Sequence, residues 1–199
     1  GKIELPISLV WINDHLYVSS ENSDGVYRYD LNGIPSGYAG STTDAEILSI
    51  HYKRINDLES HDTILYVSAN DGSIYSFDTA TTLSHLSSSK ETIASGLSNP
   101  GRMAVDASGN IYVVNDADIL KFSSSGNSFG TFISGGSGGM SAPYDIEWYG
   151  GYLYVSSWND DEIYRFDGMG NPYGYVQNQY NAILTDDRDL DEPARIYIT

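Results

Sequence analysis

A short apolar phrase built around tyrosine recurs four times along the chain. The copies are Leu16-Tyr17-Val18-Ser19, Leu65-Tyr66-Val67-Ser68, Ile111-Tyr112-Val113-Val114 and Leu153-Tyr154-Val155-Ser156, at spacings of 49, 46 and 42 residues. An Asn/Asp-rich stretch follows each copy and leads into a second phrase: Val26-Tyr27-Arg28-Tyr29-Asp30, Ile74-Tyr75-Ser76-Phe77-Asp78, Ile119-Leu120-Lys121-Phe122-Ser123 and Ile163-Tyr164-Arg165-Phe166-Asp167. Two strand-sized apolar runs joined by a polar turn predict a β-hairpin. A third element, often opened by proline, precedes the first phrase, as over 6–11, 100–105 and 143–148. A Gly-rich turn and a looser strand follow the second phrase, for example over 174–179.

Four strands in a unit of about 45 residues match one blade of a β-propeller. In Ile163-Tyr164-Arg165-Phe166 the ring residues and the isoleucine point to opposite faces, as a sheet covered on both sides requires. No segment carries sustained helical apolar spacing. The expectation is an all-β fold, a propeller-type array of about four four-stranded blades over 3–49, 50–98, 99–141 and 142–190, in one domain. The stretch 191–199 resembles the Pro-led strands beginning at Pro100 and Pro143 and is expected to be the first strand of a fifth blade. The array is therefore expected to belong to a larger propeller or to self-associate through its terminal blades.

The hairpin formula Leu-Tyr-Val-Ser, Asn-Asp, Ile-Tyr-Arg-Phe-Asp, Gly resembles the NHL-repeat propellers and their relatives in the gluconolactonase and virginiamycin B lyase group, and the resemblance covers nearly the whole chain. The gluconolactonase likeness implies a central divalent metal held near the inner strands, with Asn99, Asp145, Asn115 and Asn159 as candidates. The lyase likeness implies a catalytic histidine with Mg²⁺ nearby. His15, His51, His61 and His85 each fall at a different place in the repeat. Neither likeness fixes an activity, because one fold hosts many.

Composition narrows the partners. A formal charge of −17 repels phosphate backbones and anionic headgroups, so nucleic acid is excluded as an expected partner. No apolar run approaches membrane-spanning length, so no membrane insertion is expected. Tyrosine alone supplies 17 residues against 10 for lysine and arginine together, which suits half-buried strands whose hydroxyls reach water. With no cysteine, disulfide scaffolds and cysteine-based zinc sites are ruled out.

The hairpin turns hold Asn22 and Asp24, Asn70 and Asp71, Asn115 with Asp116 and Asp118, and Asn159 with Asp160 and Asp161. Such oxygens suit Ca²⁺ or sugar hydroxyls, and the same residues also simply make hairpin turns. Asp187, Asp189 and Asp191 alternate as loop carboxylates that converge on Ca²⁺ do, without the usual glycine; a solvated inter-blade loop is the alternative. The metal candidates are thus Asp187, Asp189, Asp191, Asn115, Asp116, Asn159 and Asp160. Trp158, Tyr144 and Tyr173, in or beside predicted loops, are the ligand-binding candidates, with Arg102 added to them. Trp11 and Trp148 are expected in the core, and Asp30, Asp78 and Asp167 as turn formers. No serine-nucleophile elbow, phosphate-binding loop or His-Glu-x-x-His helix is expected, and 134–139 reads as a flexible inter-blade loop.

The expected function is a non-catalytic, secreted or cell-surface bacterial binding module that recognises a carbohydrate, peptide or protein through its loop face, with Ca²⁺ as a candidate cofactor. A metal-dependent lactonase or lyase is the alternative. A structural repeat segment of a larger surface protein is a third reading.

Overall fold

In a computed structural model, the Tyr-centred phrases become the second strands of four meanders. The structure describes residues 3, 5–20, 25–36, 46–49, 54–80, 89–173, 182–185 and 195–198. The first sheet runs β1 (Pro6–Ile12), β2 (His15–Ser20), β3 (Gly25–Tyr29) and β4 (Glu46–Ser49). The second runs β5 (Ile55–His61), β6 (Ile64–Ala69), β7 (Ser73–Asp78) and β8 (Glu91–Ala94). The third runs β9 (Pro100–Val105), β10 (Ile111–Asn115), β11 (Asp118–Phe122) and β12 (Ser128–Ile133). The fourth runs β13 (Pro143–Tyr149), β14 (Tyr152–Ser157), β15 (Glu162–Phe166) and β16 (Ala182–Thr185). Each strand pairs with its sequence neighbour, so every sheet is an up-and-down blade of the propeller kind.

The chain divides into two compact units, residues 1–100 and 101–199. In the first, Val10, Ile12, Tyr17 and Val26 of one blade pack against Ile55, Leu58, Leu65, Val67, Tyr75 and Phe77 of the next. In the second, Ala104, Tyr112, Val114 and Ile119 meet Ile146, Leu153, Val155, Tyr164 and Phe166, with Trp148 at the margin. The two interfaces use the same register. Leu58 lies opposite Val67 in its sheet, as Ile146 lies opposite Val155, and both face the preceding blade.

The serine of the Leu-Tyr-Val-Ser phrase has a structural task. Pairing slips between Pro6 and Leu9 and again between Pro143 and Ile146, leaving a bulge in each first strand. Ser19 Oγ accepts from Ser8 N at 3.1 Å and donates to Ser8 O at 3.3 Å. Ser156 Oγ bridges Asp145 N and O in the same way, at 3.0 and 3.5 Å. A small buried hydroxyl thereby satisfies backbone groups that the ladder leaves unpaired.

Asp30, Asp78 and Asp167 do build turns. Asp30 Oδ1 accepts from Asn32 N and Ile34 N, Asp167 Oδ1 from Met169 N and Asn171 N, and Asp78 Oδ1 from Ala80 N. The Ile34 amide is the main reason that the Asp30 carboxyl lies below its ordinary range, and the Asn171 side chain plays that part for Asp167. Asp106 makes an equivalent turn between β9 and β10 that the sequence did not single out.

Two expectations change. Trp11 is 52% exposed, because it stands on the face of β1 turned away from the second sheet, whereas Trp148 stacks on Tyr112 at 4.8 Å and 13°. The segment 134–139 is a hydrogen-bonded turn, with a 3₁₀ turn at Ser137–Gly139 and Gly135 N donating to Asp118 Oδ1. The fourth strand of the last blade is β16, while 174–179 lies outside the described residues. Of the stretch expected to open a fifth blade, Arg195–Ile198 carries no assigned strand and the remainder is outside the described residues.

Candidate functional site

The bulge in β13 sets the site. It turns Tyr144 outward, 39% exposed, at the end of the fourth blade where the β14–β15 turn also lies. Trp158 opens that turn and donates its backbone N–H to Ala142 O at 2.9 Å, which fixes it beside the bulge. The two rings meet at 5.1 Å with a 46° tilt and form a short aromatic ledge.

Asp160 holds the ledge in place. Its Oδ1 accepts from Ser141 Oγ at 2.6 Å and its Oδ2 from Ser141 N at 2.7 Å and from Ser157 Oγ. Burial alone would raise the Asp160 carboxyl, but the donors Ser141, Ser157 and Tyr164 outweigh it and bring it below the ordinary range. The same neighbourhood pushes the Tyr164 phenol well above its usual range, first through burial and then through Glu162 and Asp160. The turn is thus anionic at neutral pH, with a neutral tyrosine donating into it.

The structure brings together two of the four ligand-binding candidates. Tyr144 and Trp158 are neighbours, whereas Tyr173 sits at the opposite end of the same blade, where it packs on Tyr152 at 5.0 Å beneath Arg165. Arg165 Nε donates to Tyr173 O at 3.0 Å and its guanidinium lies 5.0 Å from the Tyr152 ring centre, so that cluster is a tightly tied edge. Arg102 lies half-buried on β9. Ser141, Ser157 and Tyr164 frame the ledge and were missed, because in sequence they cannot be told from other strand-end serines and core tyrosines.

The metal candidates are dispersed. Asn115 ends β10 opposite Asp118, Asp116 takes the left-handed turn position at φ +55°, and Asn159 is exposed. Asp160 already serves three protein donors. Among the described residues no three His, Asp or Glu side chains converge, and Asp187, Asp189 and Asp191 lie outside them. Of the ligands that the gluconolactonase likeness implied, Asp145 is buried and accepts from Ile196 N at 2.7 Å, with Arg195 at 3.9 Å. His15 Nδ1 is 2.7 Å from Asn13 O and His61 faces Asp62, while His51 and His85 are outside the described residues.

The spacing Gly-x-Ser-x-Gly does occur, at 126–130 and again at 135–139. Ser128 opens an exposed edge strand and Ser137 sits in the 3₁₀ turn, so neither has the strand-to-helix elbow that such a nucleophile needs.

No family model matches the chain, and neither does any curated protein. Solved structures do. The crystal structure of a nidogen/laminin complex aligns with a TM-score of 0.53 at 12% identity over 89% of this chain and 81% of that one. The crystal structure of a mitotic checkpoint complex aligns with a TM-score of 0.62 at 18% identity over 85% of this chain and 48% of that one, so this chain spans about half of its length. Likeness at these identities is likeness of fold. Together with the four meanders it makes this chain an all-β protein of the β-propeller type.

Proposed function

We propose that this chain is a non-catalytic, extracellular protein-binding module whose ligand is a polypeptide segment docking on the Tyr144–Trp158 ledge. The carrying observation is the aromatic pair of exposed Tyr144 and half-buried Trp158 held against an acidic turn. Two aromatic rings tilted against each other offer apolar area and a cation–π surface, and a chain of charge −17 draws basic segments toward them. Both structural neighbours come from complexes, which supports a binding role in preference to catalysis. Ca²⁺ at Asp187, Asp189 and Asp191 belongs to the same proposal.

A displayed peptide library and a glycan array, each screened with the wild type and with Tyr144→Ala/Trp158→Ala, test it. Basic peptides that bind the wild type and are lost with the double variant, whose circular dichroism is unchanged, are expected. Glycans selected in their place would replace the ligand class. Peptide binding indifferent to the double variant would move the site elsewhere.

A further inference from the structure

The end of the fourth blade away from the ledge holds two tyrosines in a fixed relation. Tyr152 opens β14 and Tyr173 follows the turn after β15, and their rings meet at 5.0 Å with a 38° tilt. The Tyr152 phenol lies above its ordinary range, first because its hydroxyl is hydrogen-bonded to that of Tyr173. The hydroxyls are therefore side by side, and so are the ring carbons ortho to them.

The backbone holds this pair in place. Asp167 Oδ1 accepts from Met169 N and Asn171 N, Phe166 forms a bridge with Pro172, and Tyr173 N donates to Arg165 O at 2.7 Å. Arg165 Nε donates back to Tyr173 O at 3.0 Å, and its guanidinium lies 5.0 Å from the Tyr152 ring centre and 4.9 Å from that of Tyr173. One cation thus packs on both rings. Tyr112 and Tyr144 meet other kinds of ring, Phe132 and Trp148 for the first and Trp158 for the second.

This position stays open to solvent even on a blade that has a neighbour. In the first unit, His15, Arg28 and Ser36 match Tyr152, Arg165 and Tyr173, with Ser36 N donating to Arg28 O and Arg28 Nε to Ser36 O. The second blade packs on Tyr17, the cross-strand partner of Arg28, yet all three of those residues remain half-exposed. Tyr173 itself is 49% exposed.

We propose that Tyr152 and Tyr173 form an oxidative cross-linking site, joined through their ortho carbons into dityrosine when a haem peroxidase and hydrogen peroxide act on the chain. Each phenol gives one electron to the oxidant and its hydroxyl proton to water, leaving a phenoxyl whose unpaired electron is shared with the ortho carbons. The Arg165 cation beside the rings opposes a cationic radical, so the proton leaves with the electron. The two radicals pair to form one carbon–carbon bond, and each coupled carbon then passes its proton through water to its own phenolic oxygen, restoring both rings. Two electrons and two protons leave in all, and they reduce one peroxide to two waters. The link ties the start of β14 to the turn after β15, closing a loop as a disulfide does.

Peroxidase treatment of the native chain at low concentration, read by dityrosine fluorescence and by mass spectrometry of a tryptic digest, tests it. Rings already in contact have an effective concentration on the order of millimolar or more, so at about micromolar protein the internal link should exceed links between molecules at least about tenfold. Cleavage after Lys121, Arg165 and Arg188 puts the two tyrosines in separate peptides, 122–165 and 166–188, so the link appears as that pair joined with the loss of two hydrogens. Tyr152→Phe and Tyr173→Phe should each abolish it with circular dichroism unchanged, and Tyr149→Phe should leave it. Should either of the first two variants fail to fold, fragmentation of the joined wild-type peptides identifies the linked residues directly. A link from Tyr152 to its cross-strand neighbour Tyr149, which stays within one peptide, overturns the proposal. So does dityrosine found only between molecules, or none at all.

Discussion

The β6–β7 turn of the second blade and the β14–β15 turn of the fourth share a frame and differ in what they display. In both, an aspartate accepts from the tyrosine of the strand that follows: Asp71 from Tyr75 Oη at 2.6 Å, Asp160 from Tyr164. In both, the first turn residue donates its N–H to the segment before the inner strand, Asn70 to Arg54 O and Trp158 to Ala142 O. The second blade then spends Asn70 on the backbone, with its Oδ1 accepting from Arg54 N at 3.0 Å, and closes with Gly72 at φ +81°. The fourth has one residue more, puts an indole at the Asn70 position and tyrosine in place of Asn56, and closes on Asp161 at φ +55°. The aspartate–tyrosine frame therefore belongs to the fold, and the aromatic ledge is what the frame carries in one blade.

The sharpest break is expected at Gly72. A Cβ there would stand 2.5 Å from Leu97 O at a positive φ, so Gly72→Ala should cost about 3 kcal/mol or more in urea unfolding. The fourth blade's closing residue should behave in the opposite way: Asp161→Gly keeps the left-handed backbone and should change stability by less than about 1 kcal/mol.

Next is the frame itself. Asp160→Ala removes the acceptor for Ser141, Ser157 and Tyr164 and is expected to cost about 2–3 kcal/mol, while Tyr75→Phe, which removes one donor to Asp71, should cost about 1 kcal/mol. Equal losses from the two would show that Asp160 does no more than its counterpart in the second blade.

Acid should reveal the same residue. The Asp160 carboxyl titrates below its unfolded value, so its stabilisation is present above the ordinary carboxylate range and is lost as pH falls through the lower, folded value. Unfolding free energy followed from neutral pH down to strong acid should therefore decline less steeply in Asp160→Asn than in the wild type. A pair of parallel curves would remove Asp160 from the acid limb.

The smallest effect on stability is expected at the ledge. Trp158→Ala should change the unfolding free energy by no more than about 0.5 kcal/mol while abolishing peptide capture. A large loss of stability would make the ledge structural, as Trp148 is.

Blade count, strand order and the turn-forming aspartates were legible in the sequence because they are local. Alternation within Leu-Tyr-Val-Ser, a polar turn and a Gly three residues past Asp30 and Asp167 act within one hairpin, and spacing records them. The second blade's β5 is harder to read, since Asn56, Asp57, Glu59 and Ser60 disguise a strand whose Ile55 and Leu58 are core.

The chain itself determined that this is an all-β array of repeated four-stranded meanders, since repetition of a two-residue period over hairpin-length units leaves few other ways to bury both faces. The tertiary structure alone decided which of two identical-looking tryptophans is covered, which turn aspartates are consumed by backbone and hydroxyl donors, and which two aromatics meet. Each of those outcomes depends on what lies across a blade face or beyond a bulge. Neighbours of that kind are far apart in sequence, and the repeat writes the same residues whether or not a neighbour is there.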